Sequence, residues 1–345
     1  MRKILAAALV LSVVVVAAGC GNTNKVPDTG GAGTSGLPAV VRIGTQQIPN
    51  DETLAIAKGY FQKELGTKVN IVDFQAGDIR NAMISGSIDF AMLGSSSAAL
   101  GIGNGMDVNV IWIHDIIGDS ERLVARNGSG IRSVSDLKGK TIATAFTSTA
   151  HYSLLKALEQ NGLSEKDVKL IDMQMNDLYA AWKRGEIDAA YAWQPTLSYL
   201  LKDGKTIVSS RDMAANGVPT SNVEFVRRGF SEKYPNAVTG YIRALTKAVD
   251  LYRQDEHGAV AAVASYLNIT QDEARTQMQE CTWLSAQEQL TPDYMGASAK
   301  KGSIAKSLKD TADFMYQQKS LKAKPQQSVF DAAVNPSFIE KAVQQ

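Results

Sequence analysis

Little in this chain equips it for covalent, redox or metal chemistry. Its 345 residues include only two cysteines, Cys20 and Cys281. Cys20 falls in the N-terminal leader, so no internal disulfide and no cysteine metal cluster is expected. The three histidines, His114, His151 and His257, show neither HExxH nor a paired spacing, so the familiar metal-hydrolase signatures are missing. No GxxxxGKS or GxxxxGKT occurs, so there is no P-loop. Thirty-six Lys and Arg against 35 Asp and Glu give a net charge of +1, which leaves no basic field for nucleic acid.

What is present begins with the leader. Met1, Arg2 and Lys3 are followed by an apolar run, Ile4 to Ala18, too short for an ordinary membrane span, and then by Gly19 and Cys20. This pattern predicts a lipoprotein signal peptide over 1–19. Ala17-Ala18-Gly19-Cys20 resembles the bacterial lipobox, which implies that Cys20 is diacylated and becomes the first mature residue. Ala17 stands where Leu is usual, and a cleaved signal without lipidation is the alternative. Residues 20–38 are then the lipidated Cys and a tether. Apart from Val26, Gly21 to Gly36 carries no large apolar residue and is rich in Gly, Thr, Asn and Ser. The expected location is extracytoplasmic, with the membrane touched only through lipid.

The roughly 300 remaining residues suffice for two lobes of about 150 each. β-branched runs alternate with helical spacing, the mark of an α/β protein. VVRIGTQ, KVNIVDF, SIDFAML, DVNVIWIHDI, KTIATAF, DVKLIDM, IDAAYAW and TIVSS read as strands. Asp51 is placed to cap the helix after the first of them. Gly86-Ser-Ile-Asp-Phe-Ala recurs as Gly185-Glu-Ile-Asp-Ala-Ala, an echo that fits two lobes of similar build facing one another. From Pro235 the chain turns helical, with Tyr241, Leu245, Ala248 and Tyr252 on one face. That helical portion needs support, and the first lobe is expected to provide it.

Two stretches share one design. KTIATAF runs into Thr147, Ser148, Thr149 and His151 and then a helix; SIDFAML ends at Leu93-Gly94 and runs through Ser95, Ser96 and Ser97 into another. Free backbone N–H groups and the positive dipole end make a helix start an anion site, and hydroxyls add donors. Neither loop contains Arg or Lys. Either alone can be an ordinary cap; together they describe two jaws on one small anion, outside the carboxyl ends of the strands.

GSGIRSVSDLKGKTIATAFTSTAHYSLLKAL and AAWKRGEIDAAYAWQP, with ERLVARNGSGI and VPTSNVEFVRRGF, resemble the taurine-binding components of bacterial ABC importers. More broadly, the chain is similar to the nitrate/sulfonate/taurine substrate-binding family. The resemblance implies a two-lobe periplasmic-binding fold of type II with two crossing hinge segments and a helical C-terminal portion. Lobe one would comprise 39–124 plus 226–345 and lobe two 125–225, with crossings near Leu123–Asn127 and Val223–Arg227. It also implies a monomer without cofactor that closes on a small sulfonate and docks on a permease driven by an ATPase subunit. Isethionate, another aliphatic sulfonate or nitrate are the alternative ligands. A thiamine-pyrimidine-synthase-like enzyme is a remote alternative, since the cysteine cluster of those proteins is missing.

On this resemblance Gly94, Ser95 and Ser96 serve the anion from lobe one, and Ser148, Thr149 and the N–H groups near His151 from lobe two. His151 either packs on the helix start or touches the ligand. Trp193 forms an apolar wall and Gln46 lines the cleft. The taurine proteins carry Trp-Asp-Pro where this chain has Trp193-Gln194-Pro195, and Phe-Asp-Ala-Trp where it has Ser221-Asn222-Val223-Glu224. Either Glu121 and Glu224 hold a ligand ammonium, or Gln194 and Asn222 mark a ligand with a hydroxyl or no polar tail.

Overall fold

A computed structural model describes residues 36–74 and 76–344. The expected signal peptide, lipidated Cys20 and nearly all of the tether lie outside the described residues. No helix among the described residues is long and apolar enough to cross a membrane.

Ten strands form two five-stranded sheets: β1 (Val40–Thr45), β2 (Lys68–Asp73), β3 (Phe90–Gly94), β4 (Val108–Ile116), β5 (Glu121–Arg126), β6 (Thr141–Thr144), β7 (Lys169–Asp172), β8 (Ala189–Trp193), β9 (Gly204–Ser209) and β10 (Ser221–Arg227). The orders are β2-β1-β3-β10-β4 and β7-β6-β8-β5-β9. The sheets match position by position: three parallel strands, then one running antiparallel to both of its neighbours. The eight strands read from β-branched runs are all present.

The internal echo has a physical basis. Gly86 and Gly185 both take positive φ, 74° and 79°, where only glycine sits without strain. The Asp three residues on then caps a neighbouring strand. The Asp89 carboxylate accepts the Arg42 N–H at 2.9 Å, and that of Asp188 accepts the Thr141 N–H at 2.8 Å. The same device therefore opens the β1–β3 pairing in one sheet and the β6–β8 pairing in the other.

The crossings fall elsewhere than expected. Leu123–Asn127 and Val223–Arg227 coincide almost wholly with strands β5 and β10, so Glu121–Arg126 belongs to the second sheet and Ser221–Arg227 to the first. The chain passes between sheets at 117–120 and again at 216–220. The two passages touch, with the Ile117 N–H donating to the Thr220 carbonyl at 3.0 Å. A third segment joins them. The Asp119 N–H donates to the Glu280 carbonyl at 2.9 Å, and Ile116 bridges Thr282. Gly118 is required at this junction, because a Cβ there would lie 2.3 Å from the Glu280 carbonyl oxygen.

The helical portion packs on the first lobe. In helix Pro235–Gln254, Tyr241 stacks on Phe61 and Phe90 with centroids 4.5 and 4.1 Å apart, inside the larger apolar core. Helix Ser303–Gln317 also reaches the second lobe, where Phe314 meets Tyr152 edge-on at 5.3 Å. The helix after β1 is capped by Asn50, not Asp51: Asn50 Oδ1 accepts the Thr53 N–H at 2.9 Å, while Asp51 turns into the core.

Candidate functional site

Helix Thr149–Gln160 begins at the end of the turn that follows β6. Ser148 is its N-cap; its oxygen accepts the His151 N–H at 3.2 Å and its own proton goes to the Ala145 carbonyl at 2.6 Å. The Ser148 hydroxyl is thus committed to the turn. The N–H groups of Thr149 and Ala150, in the first turn, have no partner within the helix. Thr147 stands at φ 65°, a left-handed conformation that costs a non-glycine residue of order 1 kcal/mol or more. Its N–H donates to His151 Nδ1 at 3.3 Å, and the His151 ring stacks on Phe146 at 4.4 Å. Burial lowers the His151 pKa to about 4, so the ring is a neutral prop for the turn.

The opposite jaw is helix Ser95–Gly103, whose N-cap Gly94 offers no side chain, so no side chain caps its first N–H groups. The two starts face each other closely: a Cβ on Gly94 would lie 3.0 Å from Thr149 Cγ2. Between them runs a cleft. Its walls contain Gln46, Gly94, Glu121, Ser148, Thr149, Trp193, Gln194 and Asn222, all expected from sequence, and no Arg or Lys.

Four expected residues are not in that wall. Ser95 is buried beneath it, its oxygen accepting the Ser221 N–H at 3.3 Å, and Ser96 is buried within the lobe. The helix begins at Gly94, and this phase turns the third serine, Ser97, to the cleft instead. His151 faces a small cavity toward Phe314. Glu224 lies in the first lobe's interior, fully buried, with Oε2 2.8 Å from His114 Nε2. There His114 Nδ1 meets Asp51 at 2.6 Å, Trp112 donates to Asp51 at 2.7 Å, and Tyr241 donates to Glu52 at 2.8 Å. Burial pushes Glu224 up to about 8. Burial opposes a charge on His114, but its two carboxylate partners outweigh it and hold its pKa well above the usual value. Glu121 and Glu224 therefore do not form a shared ammonium site.

Sequence reasoning missed several groups in and behind the wall. Phe146, Gln174, Ser120 and Cys281 line the cleft beside Ser97 and Thr147 of the two hydroxyl-rich stretches, with Ser120 Oγ 2.9 Å from Cys281 Sγ. Asp115 lies buried behind Asn222, which donates to it at 3.0 Å; burial raises Asp115 to about 7. With its nitrogen so engaged, Asn222 turns Oδ1 toward Gly94, and Gln46 likewise directs Nε2 to the Met92 carbonyl at 3.4 Å. Asn222 thus presents an acceptor beside Gly94. Gln194 is occupied at both ends, donating to Glu280 at 2.7 Å and accepting from Ser198 at 2.7 Å.

Glu280, from the helical portion, also receives Arg122 at 2.5 Å, so one half-buried carboxylate ties two second-lobe side chains to the first lobe. Glu280→Ala is expected to weaken ligand binding at least tenfold by loosening closure, since even one of its two charge-assisted bonds contributes about 1.5–3 kcal/mol. Calorimetry paired with small-angle scattering checks this. Unchanged affinity and an unchanged radius would remove Glu280 from closure.

The model of the substrate-binding domain of ABC-type glycine betaine transport systems matches residues 39–280. The taurine-binding periplasmic protein of Escherichia coli (strain K12) is 31% identical over 287 residues, 81% of this chain and 86% of that one. The putative aliphatic sulfonates-binding protein of Bacillus subtilis (strain 168) is 28% identical over 345 residues, 98% of this chain and 96% of the other. The alkanesulfonate-binding protein SsuA from Xanthomonas axonopodis pv. citri, solved bound to MOPS, shares the fold with a TM-score of 0.71 at 23% identity, over 87% of this chain and 99% of that chain. With 70% of its length (242 of 345 residues) under one family model and a relative 31% identical over 81% of it, this chain belongs to the family of ABC-importer substrate-binding proteins.

Proposed function

We propose that the chain is the extracytoplasmic receptor of an ABC importer. It captures taurine or a closely related small alkanesulfonate, isethionate among them, and delivers it to a permease. It performs no chemistry on the ligand. The leader supports an anchor at Cys20 that keeps the receptor near its permease. One observation carries the reading: two helix starts converge on a cleft whose wall has backbone and hydroxyl donors but no cation. A sulfonate stays ionised and offers three acceptor oxygens, so it suits many neutral donors. Hydrogen bonds to a charged group contribute about 1.5–3 kcal/mol each, and three or four reach micromolar affinity after association costs. Away from the helix starts the Gln46 amide suits an ammonium or hydroxyl, and Trp193 and Phe146 flank the methylenes. The names of the relatives support the same class.

Calorimetry with taurine, isethionate, ethanesulfonate, sulfate and nitrate tests the reading. Taurine and isethionate should bind most tightly, in the micromolar range or better, about −8 kcal/mol. Absence of heat with every sulfonate at millimolar concentration sinks it.

A further inference from the structure

The two jaws differ in how their donors are held. At Gly94–Ser97 the N–H groups carry no side-chain cap. At Thr149 the side-chain donor is already engaged, its hydroxyl proton directed at Glu121 Oε2, 2.6 Å away. A hydroxyl has one proton to donate, so Thr149 serves either Glu121 or a ligand oxygen. Glu121 is itself a buried cleft residue, 2% exposed, and its second oxygen accepts from Ser210 at 3.1 Å. An ionised Glu121 is therefore an acceptor at both oxygens, in the wall of a cleft that receives an anion.

The groups around Glu121 do not relieve that conflict. Helix Thr149–Gln160 presents only Thr149, and helix Ser210–Ala215 presents Ser210. β8 contributes Tyr191, whose hydroxyl lies 3.2 Å from Ser210 Oγ, and β4 contributes the Asp115 carboxyl, a like charge. The neighbouring cation, Arg122, turns away to the Asp119 carbonyl and to Glu280. Two negative groups sharing a desolvated cleft repel strongly unless one is neutralised.

Building on the reading of this cleft as a sulfonate site, we propose that Glu121 is a positioning residue that couples anion capture to the uptake of one proton. The sulfonate oxygen takes the hydrogen bond of the Thr149 hydroxyl. Glu121 Oε2 binds a proton from solvent and donates it to Thr149 Oγ1, which the ligand has left as an acceptor. No covalent bond of the ligand changes. One anion and one proton enter together, and the net charge of the site is conserved. Burial already holds the Glu121 carboxyl up at about 7, against the pull of Thr149 and Ser210, so the proton is available near neutrality.

The test uses ethanesulfonate, which has no proton of its own to release, and buffers that carry no sulfonate. Calorimetry in two buffers of different ionisation enthalpy should show uptake approaching one proton per ligand at about pH 8. The apparent dissociation constant should rise about tenfold per pH unit above 7. Glu121→Gln donates to Thr149 at every pH, so its uptake should fall to zero. It should bind more tightly than the native protein at about pH 8.5, with a flat profile down to about pH 6.5. Asp115→Asn should retain the uptake, which separates Glu121 from the other raised carboxyl. Ethanesulfonate binding without proton uptake, uptake that survives Glu121→Gln, or uptake lost in Asp115→Asn overturns the coupling and leaves the sulfonate reading standing. Failure of every sulfonate to bind overturns both.

Discussion

Gly94→Val should abolish ligand capture and leave the protein folded. Gly94 has φ −62° and ψ 144°, ordinary extended backbone that valine adopts readily, so no backbone strain is introduced. The difference lies in space. A Cβ at this position meets Thr149 Cγ2 at 3.0 Å, Thr149 Oγ1 at 3.5 Å and Asn222 Oδ1 at 3.8 Å, and the added methyls of valine reach further. They would occupy the gap in which both helix starts aim their N–H groups, and would hold the jaws apart. A loss of about 100-fold or more is expected, about 2.7 kcal/mol in binding free energy. The melting temperature of the free protein should move by less than about 3 °C. Calorimetry and thermal melting of one sample decide it. Affinity retained within a few-fold would place the anion away from these jaws.

The largest stability effect is expected for His114→Leu. His114 bridges Asp51 and Glu224 with no exposure at any of the three side chains. Leucine fills comparable volume but leaves both carboxyls in an apolar interior without their partner. Breaking a buried pair in this way costs about 3–5 kcal/mol, on the order of 10 °C in melting temperature for lobes of this size. Acidity should modulate the loss. Glu224 at about 8 and Asp115 at about 7 keep their protons in the folded chain at pH values where the unfolded chain has released them. Stability should therefore fall as pH rises from about 4.5 to about 8, by as much as about 1.4 kcal/mol per unit for each group titrating. The raised pKa of His114 acts in the same direction above its ordinary value. The variant should lose least at about pH 5, where carboxyls are most easily neutralised, and most at about pH 8. A deficit equal at both would trace the loss to packing alone.

How much of this was legible in the sequence depends on whether the cause was local. The strands with β-branched runs were readable because each is buried largely by its own composition. β5 and β10 were not. ERLVAR and SNVEFVR carry Glu121, Arg122 and Glu224 and resemble linkers, yet each packs between two strands brought to it from elsewhere in the chain. The true passages had a signal of their own. Ile117-Gly118-Asp119-Ser120 and Asn216-Gly217-Val218-Pro219-Thr220 are turn chemistry. The helix starts of the site were plain as hydroxyl-rich turns, but which serine faces the cleft depends on the phase set by Gly94. Glu224 was misplaced because strand parity and its partner His114 on β4 decide its direction. Glu280 and Cys281 reach the hinge from more than a hundred residues away, a proximity that composition does not encode.

Strand order also dictates an order of assembly. β10 lies between β3 and β4, in the interior of the first sheet, yet it is made only after the whole of β5 to β9. A growing chain that has emitted β1 to β4 holds two fragments of a sheet with an empty lane between them, whereas the second lobe is continuous and can close on itself. The lobe that begins first is thus completed last, and its most central pairing waits on a distant, slow loop closure. That delay leaves the front half open until the rear half has been synthesised.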